Sequence, residues 1–146
     1  MISTATGADR PRLFDLWESS VRATHHFLSE DDIRALAPLV REELARQGPI
    51  YCVRDAAGIA CAFMIVEGDA IEGLFVAPEH RGKGAGRALV EHACNSLGAR
   101  RVDVNEQNPQ AVGFYRRMGF RAVSRSPLDA QGRAFPILRL VLATPG

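Results

Sequence analysis

The chain has 146 residues, of which 47% are hydrophobic and 24% are charged, and its formal net charge is +1 at pH 7. This length and composition are typical of one globular domain spanning residues 1–146, and they exclude an intrinsically disordered chain. The near-neutral charge argues against a nucleic-acid partner, and without a run of about 18 apolar residues the sequence predicts no membrane span or membrane partner.

The three cysteines, Cys52, Cys61 and Cys94, are scattered and form no C-x-x-C pair. Such a set is typical of buried thiols rather than of a disulfide framework or a metal site. The first twenty residues contain three acids and no apolar segment, so they do not resemble a secretory signal. We therefore expect a cytoplasmic protein that binds no metal.

The first third of the chain predicts a short strand followed by two helices. Residues 1–6 are the candidate strand, and apolar positions at helical spacing over residues 8–28 predict the first helix. Ser29 precedes three acidic residues, which indicates the start of a helix. The serine side chain can cap the helix N-terminus, and the helix dipole favours acidic residues in the first turn. The second helix is predicted to run to about Arg46, with a kink or break at Pro38.

The rest of the chain predicts an antiparallel meander followed by alternating strands and helices. Turn residues separate the strands, and glycines or an Asn-Pro pair bound the helices. The order β-α-α-β-β-β-α-β-α-β-β predicts an α/β fold. Its sheet is expected to be mixed, of the α+β kind, with helices on both faces. The predicted elements are strands Ile50–Arg54, Ile59–Val66 and Ala70–Val76, a helix from the 81–86 loop to about Leu97, strand Arg101–Asn105, a helix from Asn108 to Gly119, and strands Phe120–Ser126 and Phe135–Leu142.

The loop Arg81-Gly82-Lys83-Gly84-Ala85-Gly86 carries the clearest functional signal. Its glycines let backbone N–H groups point inward, and the helix behind adds free N–H groups and a positive dipole end, which predicts a phosphate or pyrophosphate site. The loop lacks the P-loop pattern G-x-x-x-x-G-K-[ST] and the dinucleotide spacing G-x-G-x-x-G, although Asp103 lies where a ribose-binding acid would. A dinucleotide-binding fold also needs parallel βαβ units from its start. The loop instead matches the pattern R/Q-x-x-G-x-G/A.

Two segments resemble motifs of the GNAT family of acyl-CoA N-acyltransferases. Residues 74–89, LFVAPEHRGKGAGRAL, are similar to its main cofactor motif, and residues 105–120, NEQNPQAVGFYRRMGF, to its second motif. Residues 17–28 together with 105–108 also resemble the small bacterial YjaB-like subgroup. The resemblance implies an acetyl-CoA-dependent N-acetyltransferase that transfers an acetyl group to a primary amine by direct attack in a ternary complex. It also implies two parallel strands that splay apart at the cofactor site.

The resemblance further implies roles for individual residues. The backbone of residues 74–76 would meet the pantetheine arm, and the N–H near Val76 would polarise the thioester carbonyl. Tyr115 would be the general acid, since a phenol with a reference pKa of about 10 can protonate a thiolate. The predicted cofactor-binding residues are Leu74, Phe75, Val76, Arg81, Gly82, Lys83, Gly84, Ala85, Gly86, Asn105, Asn108 and Tyr115.

The sequence leaves three candidates for the general base: an acid, a histidine or an ordered water chain. Glu72 lies on the strand before the loop, and strict alternation would place it on one face with Leu74 and Val76. His25 and His26 lie between the first two predicted helices, which line the acceptor side in this family. The predicted catalytic residues are therefore Tyr115, Glu72 and His25.

Charge is distributed unevenly along the chain. Residues 1–80 contain seven arginines against 13 acids, a net charge of −6, whereas residues 81–146 contain 11 basic residues against four acids, a net charge of +7. A basic half suits a polyanionic cofactor and an acidic half suits a cationic amine.

The sequence leaves the acceptor undecided between a small-molecule amine and a protein amine, and a homodimer is possible. A non-catalytic acyl-CoA-binding sensor is the alternative function, and a toxin that acetylates charged tRNA is disfavoured by the net charge.

Overall fold

The computed structural model describes residues 2–46 and 48–143, and the predicted order of strands and helices is confirmed within these ranges. One-turn 3₁₀ helices at Gly7–Asp9 and Pro78–His80 accompany the main elements. No helix in the described ranges is long and apolar enough to cross a membrane. The main elements are β1 (Ile2–Thr4), α1 (Arg10–Thr24), α2 (Glu30–Ala45), β2 (Ile50–Arg54), β3 (Ala60–Glu67), β4 (Ala70–Val76), α3 (Ala85–Ser96), β5 (Arg101–Asn105), α4 (Pro109–Arg117), β6 (Phe120–Ser126) and β7 (Ile137–Leu142).

The strands form one mixed sheet in the order β1-β2-β3-β4-β5-β7-β6. Neighbouring strands are antiparallel except β4 and β5, which run parallel. The β4–β5 pairing consists of Ala70 with Arg101 and Ile71 with Val102. Beyond these pairs the two strands are no longer paired, so the sheet opens into a V at the carboxyl end of β4. The predicted splay of the parallel strands is therefore confirmed.

Helices cover both faces of the sheet, as predicted. On one face, α3 and α4 pack on a core that includes Met64 of β3, Leu89 of α3 and Leu140 of β7, all fully buried. On the other face, α1 and α2 pack on a second core that includes Leu16 of α1 and Phe63 of β3. Because successive strand residues point to opposite faces, β3 contributes to both cores.

Several predicted boundaries are wrong for local reasons. The first helix begins at Arg10 because residues 7–9 form a 3₁₀ turn, and it ends at Thr24, so residues 25–28 form a loop. The second helix continues through Pro38 without a break. Pro38 and Arg34 are both exposed, so water can bond the Arg34 carbonyl that loses its helical donor.

The amino-terminal segment is fastened to the sheet by an ion pair between Arg54 and Asp9. Two N–H groups of Arg54 donate to the two carboxylate oxygens of Asp9, both at 2.8 Å, and the side chains are only 25% and 16% exposed. The backbone N–H of Thr6 donates to the same carboxylate at 2.7 Å. These donors, the Arg54 guanidinium first, hold the pKa of Asp9 well below its usual range.

We expect Asp9→Asn to lower the free energy of unfolding by about 1–3 kcal/mol at neutral pH, since it removes charge-assisted hydrogen bonds. The folded-state pKa is depressed, so the carboxylate's contribution is complete above the unfolded-state pKa of about 3.9 and is lost as the pH falls below it. The difference between wild type and variant should therefore shrink as the pH falls from about 4. Urea titrations across this range measure it.

Asp31→Asn is the matched control, because Asp31 is 92% exposed and pairs with Arg34 on the surface of α2. Such exposed pairs contribute little, so we expect a change within about 0.5 kcal/mol. A difference between wild type and Asp9→Asn that stays constant down to acid pH would contradict this account of the ion pair.

Candidate active site

A cavity of about 530 Å³ opens at the splayed end of β4. Its walls come from the carboxyl end of α1, from β4, from the loop before α3 with the first turn of that helix, and from α4. The structure thus brings together segments that are far apart in the sequence. Of the predicted site residues, those that line the cavity are His25, Leu74, Phe75, Val76, Arg81, Gly82, Gly84, Ala85, Gly86, Asn108 and Tyr115.

Three predicted site residues lie outside this lining. Lys83 is exposed in the loop, between two glycines that do line the cavity. Asn105 uses its side-chain oxygen to accept a hydrogen bond from the Gln107 backbone at 2.8 Å, so it shapes the turn before α4. Glu72 lies on β4 at the apex of the V, directly after the last residue that pairs with β5.

The glycine loop forms a cradle of unpaired backbone donors at one end of the cavity. Gly82 and Gly84 have φ angles of 77° and 88°, in the left-handed region that favours glycine. Gly84 caps α3 without a side-chain hydrogen bond, and the first helical bond is that of the Ala88 N–H to the Gly84 carbonyl at 3.0 Å. The three preceding N–H groups therefore have no helical acceptor, and their residues line the cavity. This arrangement suits an anion such as a pyrophosphate.

Gly86 keeps the cavity open behind the cradle. A Cβ atom at this position would lie 3.5 Å from the Phe114 ring and 3.6 Å from Val76, which is ordinary van der Waals contact. A side chain would therefore fill the space between α4 and β4 without a clash. Nearby, the Arg81 guanidinium donates to the side-chain oxygen of Gln110 and links the loop to α4.

Tyr115 lies on the cavity wall with its ring in the core. Its side chain is 6% exposed, and its ring packs edge-on against Phe114 and Phe120 at centroid distances of 5.1 and 5.5 Å. Burial raises the pKa of the phenol well above its ordinary value, so the hydroxyl stays protonated at neutral pH. A protonated hydroxyl at the cavity wall can donate a proton to a group bound there.

The predicted orientation of Glu72 is wrong because β4 contains a bulge. Ile71 pairs with Val66 and Gly73 pairs with Ile65, which leaves Glu72 as the extra residue. Strict alternation therefore fails, and it is Ile71 that shares a face with Leu74 and Val76.

The Glu72 side chain has an acidic environment. Partial burial, followed by the carboxylates of Glu67, Glu43 and Asp103, raises the pKa of Glu72, and Arg101 partly offsets this.

His25 follows α1 and reaches into the cavity. Its Nδ1 lies 2.7 Å from Thr24 Oγ1, and its Nε2 lies 3.5 Å from Asn108 Nδ2. Burial, and to a lesser degree the neighbouring His26, lowers the pKa of His25 to about 4. The imidazole is therefore neutral at physiological pH and a much weaker base than an ordinary histidine.

The predicted site residues do not include several polar residues of the cavity wall, among them Ser20, Thr24, Gln110 and Arg117. Ser20 and Thr24 line it, but they fall at apolar positions of the α1 repeat and read as core residues. A serine and a threonine four residues apart on an otherwise apolar helix face are the signal that could have identified them. Phe114 of α4 packs against the core and also lines the cavity.

The chain matches known proteins over almost its whole length. Residues 46–122 match the sequence model of a family described as an acetyltransferase (GNAT) domain. A protein from Salmonella typhimurium named peptidyl-lysine N-acetyltransferase YjaB is 39% identical over 130 residues, which cover 89% of each chain. Its namesake from Escherichia coli is 41% identical over 128 residues, covering 88% of this chain and 86% of its own.

A solved structure matches as well. The solution structure of apo-form YjaB from Escherichia coli superposes with a TM-score of 0.90 at 36% sequence identity, covering 98% of this chain and 97% of that one. These similarities confirm the predicted family, its YjaB-like subgroup and the predicted enzyme class of N-acetyltransferase. The chain therefore belongs to the GNAT family of acetyltransferases.

Proposed function

We propose that this enzyme uses acetyl-CoA to acetylate the side-chain amine of lysine in proteins. The observation that carries the proposal is the similarity, near 40% over almost nine-tenths of the chain, to two proteins named peptidyl-lysine N-acetyltransferase. The cavity supports it with an anion cradle at one end and a buried tyrosine on the wall.

The residues present fit coenzyme A. The free N–H groups at the start of α3 would hold the pyrophosphate, with Arg81 and Arg87 contributing positive charge at the cavity wall. Residues 74–76, the part of β4 that is not paired with β5, would meet the pantetheine arm on that side as a neighbouring strand would, and Asn108 would donate to it from the start of α4. When bound, acetyl-CoA supplies an activated acetyl thioester.

Two side chains would carry the proton transfers. Glu72, which lies at the apex of the V and outside the cavity lining, would accept through an intervening water the proton that the lysine ammonium must lose before its nitrogen can attack. As the new C–N bond forms and the C–S bond breaks, Tyr115 would give its proton to the departing sulfur. The raised pKa of Glu72 suits its role, because it brings the pKa of the base closer to that of the ammonium. Tyr115 is protonated at neutral pH and can therefore act as the donor. The carboxylates near Glu72 would also attract a cationic acceptor.

Acceptor specificity can be tested with three substrates at equal concentration. The first is a peptide with one lysine and a blocked amino terminus, the second is the same peptide with arginine in place of lysine, and the third is a free diamine. We expect CoA release and a peptide mass increase of one acetyl group with the lysine peptide alone. Faster turnover of the diamine than of the lysine peptide would contradict a protein acceptor.

We expect Glu72→Gln to remove the acidic limb of the kcat/KM–pH profile. The base works only when ionised, so activity rises with pH through the pKa of Glu72, which lies above its usual value. Glu67→Gln is the matched control, because the Glu67 carboxylate makes the largest electrostatic contribution to that shift after burial. It should keep the limb but move it to lower pH. A wild-type limb in Glu72→Gln would remove Glu72 from the mechanism.

A further inference from the structure

A continuous chain of polar contacts crosses the cavity wall from α1 to α4. The Thr24 hydroxyl lies 2.8 Å from the Ser20 carbonyl and 2.7 Å from His25 Nδ1. On the far side of the ring, His25 Nε2 lies 3.5 Å from Asn108 Nδ2. Asn108 Oδ1 in turn accepts a hydrogen bond from the Ala111 backbone at 3.3 Å. The chain joins two residues that are 83 positions apart in the sequence.

The helix cap at α4 determines the direction of every hydrogen bond in this chain. Because Asn108 Oδ1 accepts from the Ala111 N–H, the NH₂ group of its amide faces His25, and Nε2 must be the acceptor. A neutral imidazole then carries its proton on Nδ1, which donates to Thr24 Oγ1. The Thr24 hydroxyl is left to donate to the Ser20 carbonyl, so each donor has one acceptor.

The burial of these groups supports this assignment. Asn108 is 7% exposed, and the imidazole is neutral at physiological pH because burial lowers its pKa. A protonated imidazole would place an N–H against the Asn108 amide N–H, which is repulsive. The neutral ring is therefore the form that fits. The 3.5 Å contact is long for a hydrogen bond, so its main effect is to orient the amide.

We infer that Thr24 and His25 are positioning residues for acetyl-CoA, acting through Asn108. His25 accepts one of the two amide hydrogens of Asn108, and the second stays free to donate into the cavity that the amide lines. Without the contact to His25, Asn108 Oδ1 stays bonded in the helix cap, but the NH₂ end of the amide is no longer held at the ring and its donor is less well pre-oriented. This role replaces the predicted one of His25 as a catalytic base, and it rests on the proposed function because it assumes that acetyl-CoA binds in the cavity.

The test uses Thr24→Val, which keeps the side-chain shape and removes the hydroxyl, with Thr24→Ser as the variant that retains it. Imidazole ¹⁵N NMR reports the tautomer of His25, and calorimetry reports the Kd of acetyl-CoA. We expect the Nδ1–H tautomer in wild type and Thr24→Ser, and a shift towards Nε2–H in Thr24→Val. We also expect a roughly fivefold higher Kd for acetyl-CoA in Thr24→Val, equivalent to one lost hydrogen bond.

A double-mutant cycle separates positioning from general loosening of the fold. Asn108→Ser keeps an oxygen that can cap α4 but lacks the amide donor, so adding Thr24→Val to it should raise the Kd no further. Additive losses would overturn the inference, as would an unchanged Kd or tautomer in Thr24→Val. Failure of the wild-type protein to bind acetyl-CoA would instead overturn the proposed function, and the inference with it.

Discussion

Tyr115→Phe is expected to lower kcat by roughly tenfold or more, because the leaving thiolate loses its general acid, while the Kd of acetyl-CoA stays nearly unchanged. The substitution removes one hydroxyl from a ring that is packed between Phe114 and Phe120, so the cavity wall keeps its shape. The loss therefore falls on the step in which the sulfur leaves as a thiolate. Steady-state turnover with a lysine peptide, together with calorimetry of acetyl-CoA binding, measures the two quantities.

Tyr51→Phe is the matched control, because the chain has two tyrosines and this one lies on β2 beside His92. Tyr51 does not line the cavity, so its variant should retain wild-type kcat. Equal turnover by wild type and Tyr115→Phe would remove the tyrosine from the reaction. A large rise in the Kd of acetyl-CoA for Tyr115→Phe would assign it to binding instead.

Gly84→Ala is expected to raise the Kd of acetyl-CoA by roughly tenfold or more, because the cradle depends on a left-handed residue at the start of α3. With φ at 88°, alanine is strained by about 1–2 kcal/mol, and relief of that strain turns the helix-start N–H groups away from the ligand. The space around the glycine is open, so the effect comes from the backbone and not from a clash. Calorimetry of acetyl-CoA binding provides the measurement.

Gly58→Ala carries a closely similar backbone strain in the turn between β2 and β3, where φ is 81° and the surroundings are also open. Both variants should therefore show a similar drop in Tm, but only Gly84→Ala should lose affinity for acetyl-CoA. If both bind acetyl-CoA as well as wild type, the loop is not the anion site.

Features that depend on a few adjacent residues were predictable from the sequence. The glycine loop, the Asn108 cap of α4 and the turns of the β2–β4 meander are such features, and the structure contains all of them. The site positions that follow from these segments, such as Gly84 and Tyr115, accordingly line the cavity. The presence of helices on both sheet faces was also predictable, because the order of strands and helices indicates it.

Features that depend on pairing between distant segments were not predictable. The bulge at Glu72 arises from the register of β4 against β3, and its one local signal, Gly73 within the strand, does not specify which residue is extra. The contact between His25 and Asn108 likewise needs the end of α1 to pack beside the start of α4. For this reason the sequence indicated His25 as a base, whereas burial lowers its pKa to about 4 and both ring nitrogens have polar neighbours.

Thermal unfolding with and without acetyl-CoA tests whether the cavity at the splayed strands binds this cofactor. A ligand at about 100 times its Kd stabilises the folded state by about 2.7 kcal/mol. For a chain of this size, that corresponds to a Tm increase of roughly 5–11 °C. We predict this increase for wild type with acetyl-CoA, a much smaller one for Gly84→Ala, and none with NAD. An unchanged Tm with acetyl-CoA, or an increase with NAD alone, would contradict the account.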